Sequence, residues 1–419
     1  MRQISRLAIG LMVTSALPAF AVEPSDVVAT YQAIGAATFG DAHLTAQSLQ
    51  TAVAALIAAP SDATLTAARN AWIAARVPYQ QSEVFRFGNP VVDDWEGRIN
   101  SWPLDEGLID YVDASYGQSE ENDLSRLNLV ATPKFSIAGV AVDATNITPD
   151  LISGTLHEAD GIEANVASGY HAVEFMLWGQ DLNGTGPGAG ARPSTDYVQG
   201  DGCTNANCDR RAAYLQAVTD LLVTDLAEMA ADWQPGGAAA AVVDGDTQAA
   251  ILAMLTGFGS LSYGELAGER MQLGLMLNDP EEEQDCFSDN TFNSHYNDLI
   301  GMQSLYSGHY TRVDGSVVEG PSLATLLHQV APDVETALAS HLSATVAAVS
   351  ALKAAGDGGM AYDQMLAPGN AEGEALITAV IDGLVAQTAD IQRAVEAFGM
   401  QSVEFEGSDS LDNPDAVFQ

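Results

Sequence analysis

Lysine is almost missing from this chain. Lys134 and Lys353 are the only two, and lysine plus arginine number 15 against 56 acids. A formal charge of −41 repels polyanions, which excludes nucleic acid and anionic lipid surfaces as partners. Cysteine is scarce, with three residues. Cys203 and Cys208 lie in a polar loop where a small disulfide fits, whereas a metal site built on them lacks a third soft ligand nearby. Cys286 is left over and receives no chemistry. Strand signals are nearly absent. The zincin pattern HExxH does not occur, and Phe175 follows Glu174, so the inverted HxxEH is missing too. Beyond the first residues, no segment reads as long and apolar enough to cross a membrane.

What is there begins with Arg2 and Arg6, an apolar run from Leu7 to Phe20, and a small-x-small ending at Ala19-Phe20-Ala21. That is the pattern of a secretory signal peptide over 1–21, so the protein is expected in the periplasm. The acid excess suits salty habitats and solubility; it permits metal binding without arguing for it.

The most informative stretch is Gly169-Tyr-His171-Ala-Val-Glu174-Phe-Met-Leu-Trp178. It reads as a short apolar helix with one imidazole and one carboxylate three residues apart, hence on one face. A Glu and a His at this spacing can build a metal site inside a helical bundle; a plain buried hydrogen-bonded pair is the competing reading.

Helical periodicity covers most of the rest: 24–59, 62–87 with a bend near Pro78, 162–179, a clean amphipathic run from Asp209, 247–277, 292–306, 321–355 and 373–398. Val313-Asp314-Gly315-Ser316-Val317 carries a hairpin signal. From Tyr116 to Asp150 no element is discernible, and the acidic end after Gln401 reads as frayed. The expected architecture is all-α: an N-terminal bundle over 22–185, a Gly/Pro/Cys loop over 186–208, a C-terminal bundle over 209–400 and an acidic tail over 401–419. Both halves hold a helix with interior Arg and Glu followed by an acidic loop, which suggests an internal duplication without a firm register.

Arg76, Tyr79, Glu83 and Arg86 step along one helical face and compete with a simple Glu83–Arg86 surface pair. Asp105 and Glu106 follow Pro103 in a first helical turn, where carboxylates are favoured by the dipole alone. Glu265 and Glu269 repel on a surface but suit a cation, and Arg270 follows. The run from Asp279 to Asp285 reads as a solvated loop.

These blocks resemble the imelysin-like family, which includes the insulin-cleaving membrane protease and iron-regulated protein A. The resemblance rests on GxHxxE at Gly169–Glu174 continuing to Asp181, on Ala75–Phe85, on Trp102–Tyr111 and on Asp285–Thr291, in that order. It implies two helical domains with a site in the cleft between them, and an exported, periplasmic or outer-membrane-associated protein linked to iron acquisition. It also implies a metallopeptidase alternative, with Glu174 as the catalytic residue.

An oxygen-rich shell with one His suits iron better than catalytic zinc. The expected ligands are therefore His171 and Glu174 as the core, Glu83 from a facing helix and Asp105 more weakly, holding iron or, second, zinc. Arg76, Arg86, Glu265 and Arg270 are expected to orient them or to bind a small metal chelate. Outer-membrane or periplasmic iron-uptake proteins are the expected partners.

Overall fold

A computed structural model describes residues 21–119 and 122–418; the expected signal segment therefore lies almost wholly outside the described residues. The fold is all-α with two small antiparallel hairpins. The long helices are α1 (Pro24–Ala58), α2 (Asp62–Ser82), α3 (Pro90–Asn100), α4 (Gly169–Trp178) and α5 (Cys208–Asp232). They continue with α6 (Thr247–Ser260), α7 (Thr291–Ser307), α8 (Leu323–Val330), α9 (Pro332–Asp357) and α10 (Ala371–Ala397).

Each boundary has a local cause. Ser61 caps α2 through a capping box with Thr64. The 321–355 pattern is two helices, because Pro332 cannot continue α8 and instead opens α9. The 247–277 pattern is one rod of three textures: α6, a π-helical stretch Leu261–Gln272 and a last turn Leu273–Leu277.

α1, α2, α4 and α5 pack as one group; α7, α9, α10 and the π-helical stretch pack as another, with α2 lying against α7 between them. The helix from Cys208, expected in the second bundle, instead packs on α1 and α4. Tyr214, Leu215, Val218 and Leu222 are buried on it, and Tyr214 Oη donates to the Ala167 carbonyl just before α4 at 2.7 Å. One continuous apolar cluster runs through both groups.

Three expectations change. The hairpin at His309–Thr311 and Val317–Glu319 is present, but a second, Lys134–Ile137 with Val140–Asp143, sits in the stretch without a discernible element. Its turn is Ala138-Gly139, both at positive φ, and Ala gives no turn signal there. The tail is docked rather than frayed. Phe405, Glu406 and Ser408 lie against Gly259, Gly264 and Gly268, where a Cβ would come within 2.4, 2.4 and 2.3 Å of them, and Tyr263 donates to Asp412 at 2.7 Å. Gly259, Gly264 and Gly268 admit the tail, whereas Gly257 of the same rod admits the Val84 carbonyl. Finally, α9 is long and apolar enough, by length and composition, to cross a membrane. Its buried Leu338, Leu342, Val349 and Leu352 lie on the helix that packs on α10 and α7, as in a bundle helix.

Candidate metal centre

α4 is buried along its whole length. A helix apolar all round belongs in a core, and the surrounding elements fix it at both ends. Gly169 opens it at φ +82°, and a Cβ there would lie 2.3 Å from the Ile99 carbonyl oxygen. Only glycine both adopts that φ and lets α3 touch the first turn. This is why the helix starts at Gly169 and not near Ile162. Trp72 Nε1 donates to the Tyr170 carbonyl at 3.0 Å. Arg69 donates to the Leu177 carbonyl through Nε at 3.0 Å and Nη2 at 2.9 Å, satisfying a carbonyl the helix end leaves open. Gly169→Ala is expected to destabilise the protein by about 2 kcal/mol or more, seen as a lower urea midpoint. It should also weaken metal binding, because the backbone carrying His171 must move off Asn100.

His171 and Glu174 meet as their spacing requires, with Nδ1 3.1 Å from Glu174 Oε2. Their third partner is Asp285, whose Oδ1 lies 3.8 Å from His171 Nδ1. Ligand atoms of the three lie within 4.8 Å of one another, and all three residues are buried. Arg76 Nη2 donates to Asp285 Oδ1 at 2.7 Å, and Arg76 Nη1 to Asn100 Oδ1 at 2.7 Å. Asp285 Oδ2 accepts from Asn290 Nδ2 at 3.0 Å and from Ser294 Oγ. Glu174 Oε1 accepts from Ser288 twice, from the amide at 2.9 Å and from Oγ at 2.6 Å.

These bonds set the protonation states. Arg76 is donor-only, so the Asn100 atom facing it is the oxygen. That same oxygen lies 3.1 Å from His171 Nε2, so Nε2 carries the hydrogen and Nδ1 presents a lone pair. Burial, then Arg76, push the imidazole pKa down to about 3, so the ring is neutral. Burial, then Asp285, hold Glu174 well above the usual carboxylate range. A lone pair and a carboxylate oxygen 3.1 Å apart need a shared proton or a cation between them. Without a cation, the proton sits on Glu174 Oε2. Asp285 is the reverse case: burial opposes ionisation, but the Arg76 charge and the hydrogen bonds from Ser294 and Asn290 outweigh it and keep the pKa below 3.8. One imidazole nitrogen and two carboxylates fit a borderline or hard metal ion.

The other expected residues stand elsewhere. Glu83 is not at this centre; it lies in the turn after α2 and accepts from Arg270 Nη2 at 2.8 Å. Arg270 also binds Glu265 Oε1 at 2.9 Å and reaches Asp298 Oδ2 at 3.4 Å. Arg86 lies beside Glu96 and Glu265, each at 3.5 Å. So Glu83, Arg86, Glu265 and Arg270 form a second charge cluster, and of the expected orienting residues Arg76 alone stands at the centre. Glu83 is paired with Arg270 and is not among the residues that meet at His171 and Glu174. Asp105 is also away: it accepts from Tyr116 Oη at 3.0 Å and from Asn122 Nδ2, where it ties the Trp102–Tyr111 stretch to a loop. Asp285 was hidden by its acidic neighbours. Its signal is the Asp-Cys-Phe-Ser-Asp-Asn-Thr block itself, which stops being a solvated loop once Asp285 and Ser288 are seen to face α4.

The family model for imelysin (Peptidase_M75) matches residues 35–391. The chain belongs to the imelysin family. Among solved structures, this imelysin is similar to one assigned as an iron-regulated protein A precursor from Parabacteroides distasonis, with a TM-score of 0.64 at 18% identity. The match covers 91% of this chain and 97% of that one, so the two share a fold along nearly their whole length. No curated protein matches this imelysin.

Proposed function

We propose that this imelysin is an exported metal-binding protein that takes up iron first and zinc second, through His171, Glu174 and Asp285, and serves iron acquisition in the periplasm. The observation that carries this is the Nδ1 lone pair of His171 aimed at two carboxylates in the buried interior. A metal ion would be held by those three residues, with Asn100 fixing the imidazole tautomer and Arg76 and Ser288 holding the carboxylates. Orientation of a ligand by its neighbours commonly matters nearly as much as the ligand itself.

Export is supported by the leader pattern at 1–21 and by the Cys203–Cys208 disulfide. The similar structure carries an iron-regulated name, which supports iron as the cargo. The centre is shielded: His171 is 1% and Glu174 0% exposed. A peptide bond reaches neither without movement of the covering loop, which favours binding of a bare ion or a small chelate over hydrolysis.

The test is direct. Wild type and His171→Ala are titrated anaerobically with ferrous iron and separately with zinc, by calorimetry. Wild type is expected to bind one ion per chain, and the variant to bind at least about a hundredfold more weakly, as for loss of a primary ligand. Equal weak binding by both removes the proposal. Chelator-sensitive cleavage of insulin B chain that disappears in Glu174→Gln would replace it with the peptidase reading.

A further inference from the structure

The loop that brings Asp285 and Ser288 to α4 carries two more acids facing the other way. Glu283 and Asp289 meet Asp363, from the short helix Tyr362–Leu366, with ligand atoms of all three within 4.8 Å of one another. Glu283 and Asp363 are each 1% exposed. Glu283 Oε2, Asp289 Oδ1 and both oxygens of Asp363 make no hydrogen bond. Buried carboxylate oxygens are normally satisfied, so four such atoms in one place call for a partner.

No arginine, lysine or histidine supplies one among the described residues; the charged groups acting most strongly on these carboxylates are themselves acids. Asp181, Glu106 and Glu281 extend the negative field along a small crevice that Glu283 and Asp363 also line. The contrast with the neighbouring centre is chemical. There an arginine balances the acids and an imidazole offers nitrogen; here every ligand atom is oxygen and no cationic side chain among the described residues balances the charge.

We infer that Glu283, Asp289 and Asp363 form a second cation site, for a hard divalent ion of the calcium class. Three carboxylates from two separate segments match the oxygen-only, irregular shell that calcium accepts. Magnesium demands a smaller octahedral shell and keeps its waters. The ion's place in the fold gives it a task. Glu283 and Asp289 bracket Asp285 and Ser288 within seven residues, so a cation pinning Glu283 and Asp289 to Asp363 also fixes the loop that presents Asp285 and Ser288 to His171 and Glu174.

The experiment is calcium titration of the chelator-treated full chain in about 0.15 M salt, which screens loose binding to the acidic surface. Calorimetry and the thermal midpoint are read on wild type, Asp363→Asn, Glu283→Gln and His171→Ala. One saturable site is expected in wild type and in His171→Ala. It should weaken at least tenfold in Asp363→Asn and Glu283→Gln, which also lose the calcium-dependent rise in midpoint. Both amide variants relieve acid–acid repulsion, so their calcium-free midpoints should equal or exceed that of wild type, showing that they fold.

Identical calcium binding in all four proteins, or only diffuse unsaturable binding in wild type, overturns the proposal. Loss of calcium binding in His171→Ala overturns it as well, since the ion would then belong to the imidazole centre. Because the iron and zinc titrations depend on His171, their failure leaves this result independent.

Discussion

Binding of ferrous iron or zinc is expected to release close to one proton per ion and to weaken about tenfold for each unit that pH falls. The sign follows from the geometry. Metal binding requires the carboxylate form of Glu174 and the free lone pair of His171 Nδ1. His171 is already neutral, with its pKa pushed down to about 3 by burial and Arg76, so it contributes no proton over the neutral range. Glu174 is held well above 4.5 by burial and by Asp285, so it enters the cation-free state protonated and must lose that proton to become a ligand. Below its raised pKa each tenfold rise in proton concentration therefore costs one tenfold step in affinity, about 1.4 kcal/mol. Above that pKa the dependence flattens.

The measurement is calorimetry in two buffers of different ionisation enthalpy, which counts protons directly, repeated across pH 5.5 to 8. Ser288→Ala sharpens the test. It removes a 2.6 Å donor from Glu174 Oε1, which stabilised the carboxylate form, so affinity at pH 7 should drop while the proton count stays near one. A proton count near zero with flat pH dependence would mean that Glu174 is ionised beforehand, and the tautomer assignment through Asn100 would fail with it.

The legible part of this site was what lies in one helix. Three-residue spacing forces His171 and Glu174 onto a common face whatever the rest of the chain does, and their apolar neighbours Phe175 to Trp178 announce burial. Contacts across the fold were not legible. Glu83 and Asp285 look alike in sequence, an acid near aromatic and polar residues, yet they exchange roles. Asp285 belongs with Arg76 and His171, and Glu83 with Arg270. The choice is made by packing of α2 against the loop before α7, a pairing across about two hundred residues that no local pattern encodes.

The same exchange exposes a likeness that the sequence could only suggest. His295 and Asp298 repeat the three-residue spacing, with His295 Nδ1 4.0 Å from Asp298 Oδ2, beside Arg270 as His171 and Glu174 stand beside Arg76. Both nitrogens of His295 are buried without a hydrogen bond. Gln80 lies between the two sets. With its amide turned so that the oxygen faces Arg76, it accepts from Arg76 Nη2 at 2.6 Å and donates to Asp298 at 3.2 Å. The two charge clusters are thus one hydrogen-bonded system spanning both helix groups. Each arginine takes an acid from the other half of the chain, Arg76 from the loop before α7 and Arg270 from the turn after α2. Substituting either arginine should loosen the contact between the groups as well as the cluster it serves.

The largest stability effect is expected away from both clusters, at Asp110. Asp110 ends the Trp102–Tyr111 stretch and accepts from Arg192 Nη1 at 2.7 Å, from Arg211 Nε at 2.6 Å and from Arg211 Nη2 at 3.0 Å. All three residues are 4% exposed or less. Asp110→Ala leaves two guanidinium groups in the interior, Arg192 with the Asp196 carboxylate, Arg211 with backbone carbonyls, and both over the Tyr111 ring. Removing one partner of a buried ion pair costs about 3–5 kcal/mol, because the charge left behind is no longer compensated. Much of that reflects the cost of unpaired arginine, so replacing all three residues with apolar ones should cost far less than the single change.

The pH dependence follows the same residue. Burial opposes ionisation of Asp110, but Arg192 and Arg211 outweigh it and lower its pKa below 3.8. A carboxylate depressed in the folded state stabilises fully above its ordinary value and loses that contribution as pH falls through the folded value. Wild type should therefore lose stability below pH 4 more steeply than Asp110→Ala, and the gap between their urea midpoints should narrow there. Asp113→Ala, three residues on and exposed, removes only bonds within its own turn to Ser115 and should shift the midpoint far less than Asp110→Ala. A midpoint for Asp110→Ala equal to wild type at pH 7 would mean that the two arginines reach water on their own, and that the loop over 186–208 is held to the helices by its apolar contacts instead.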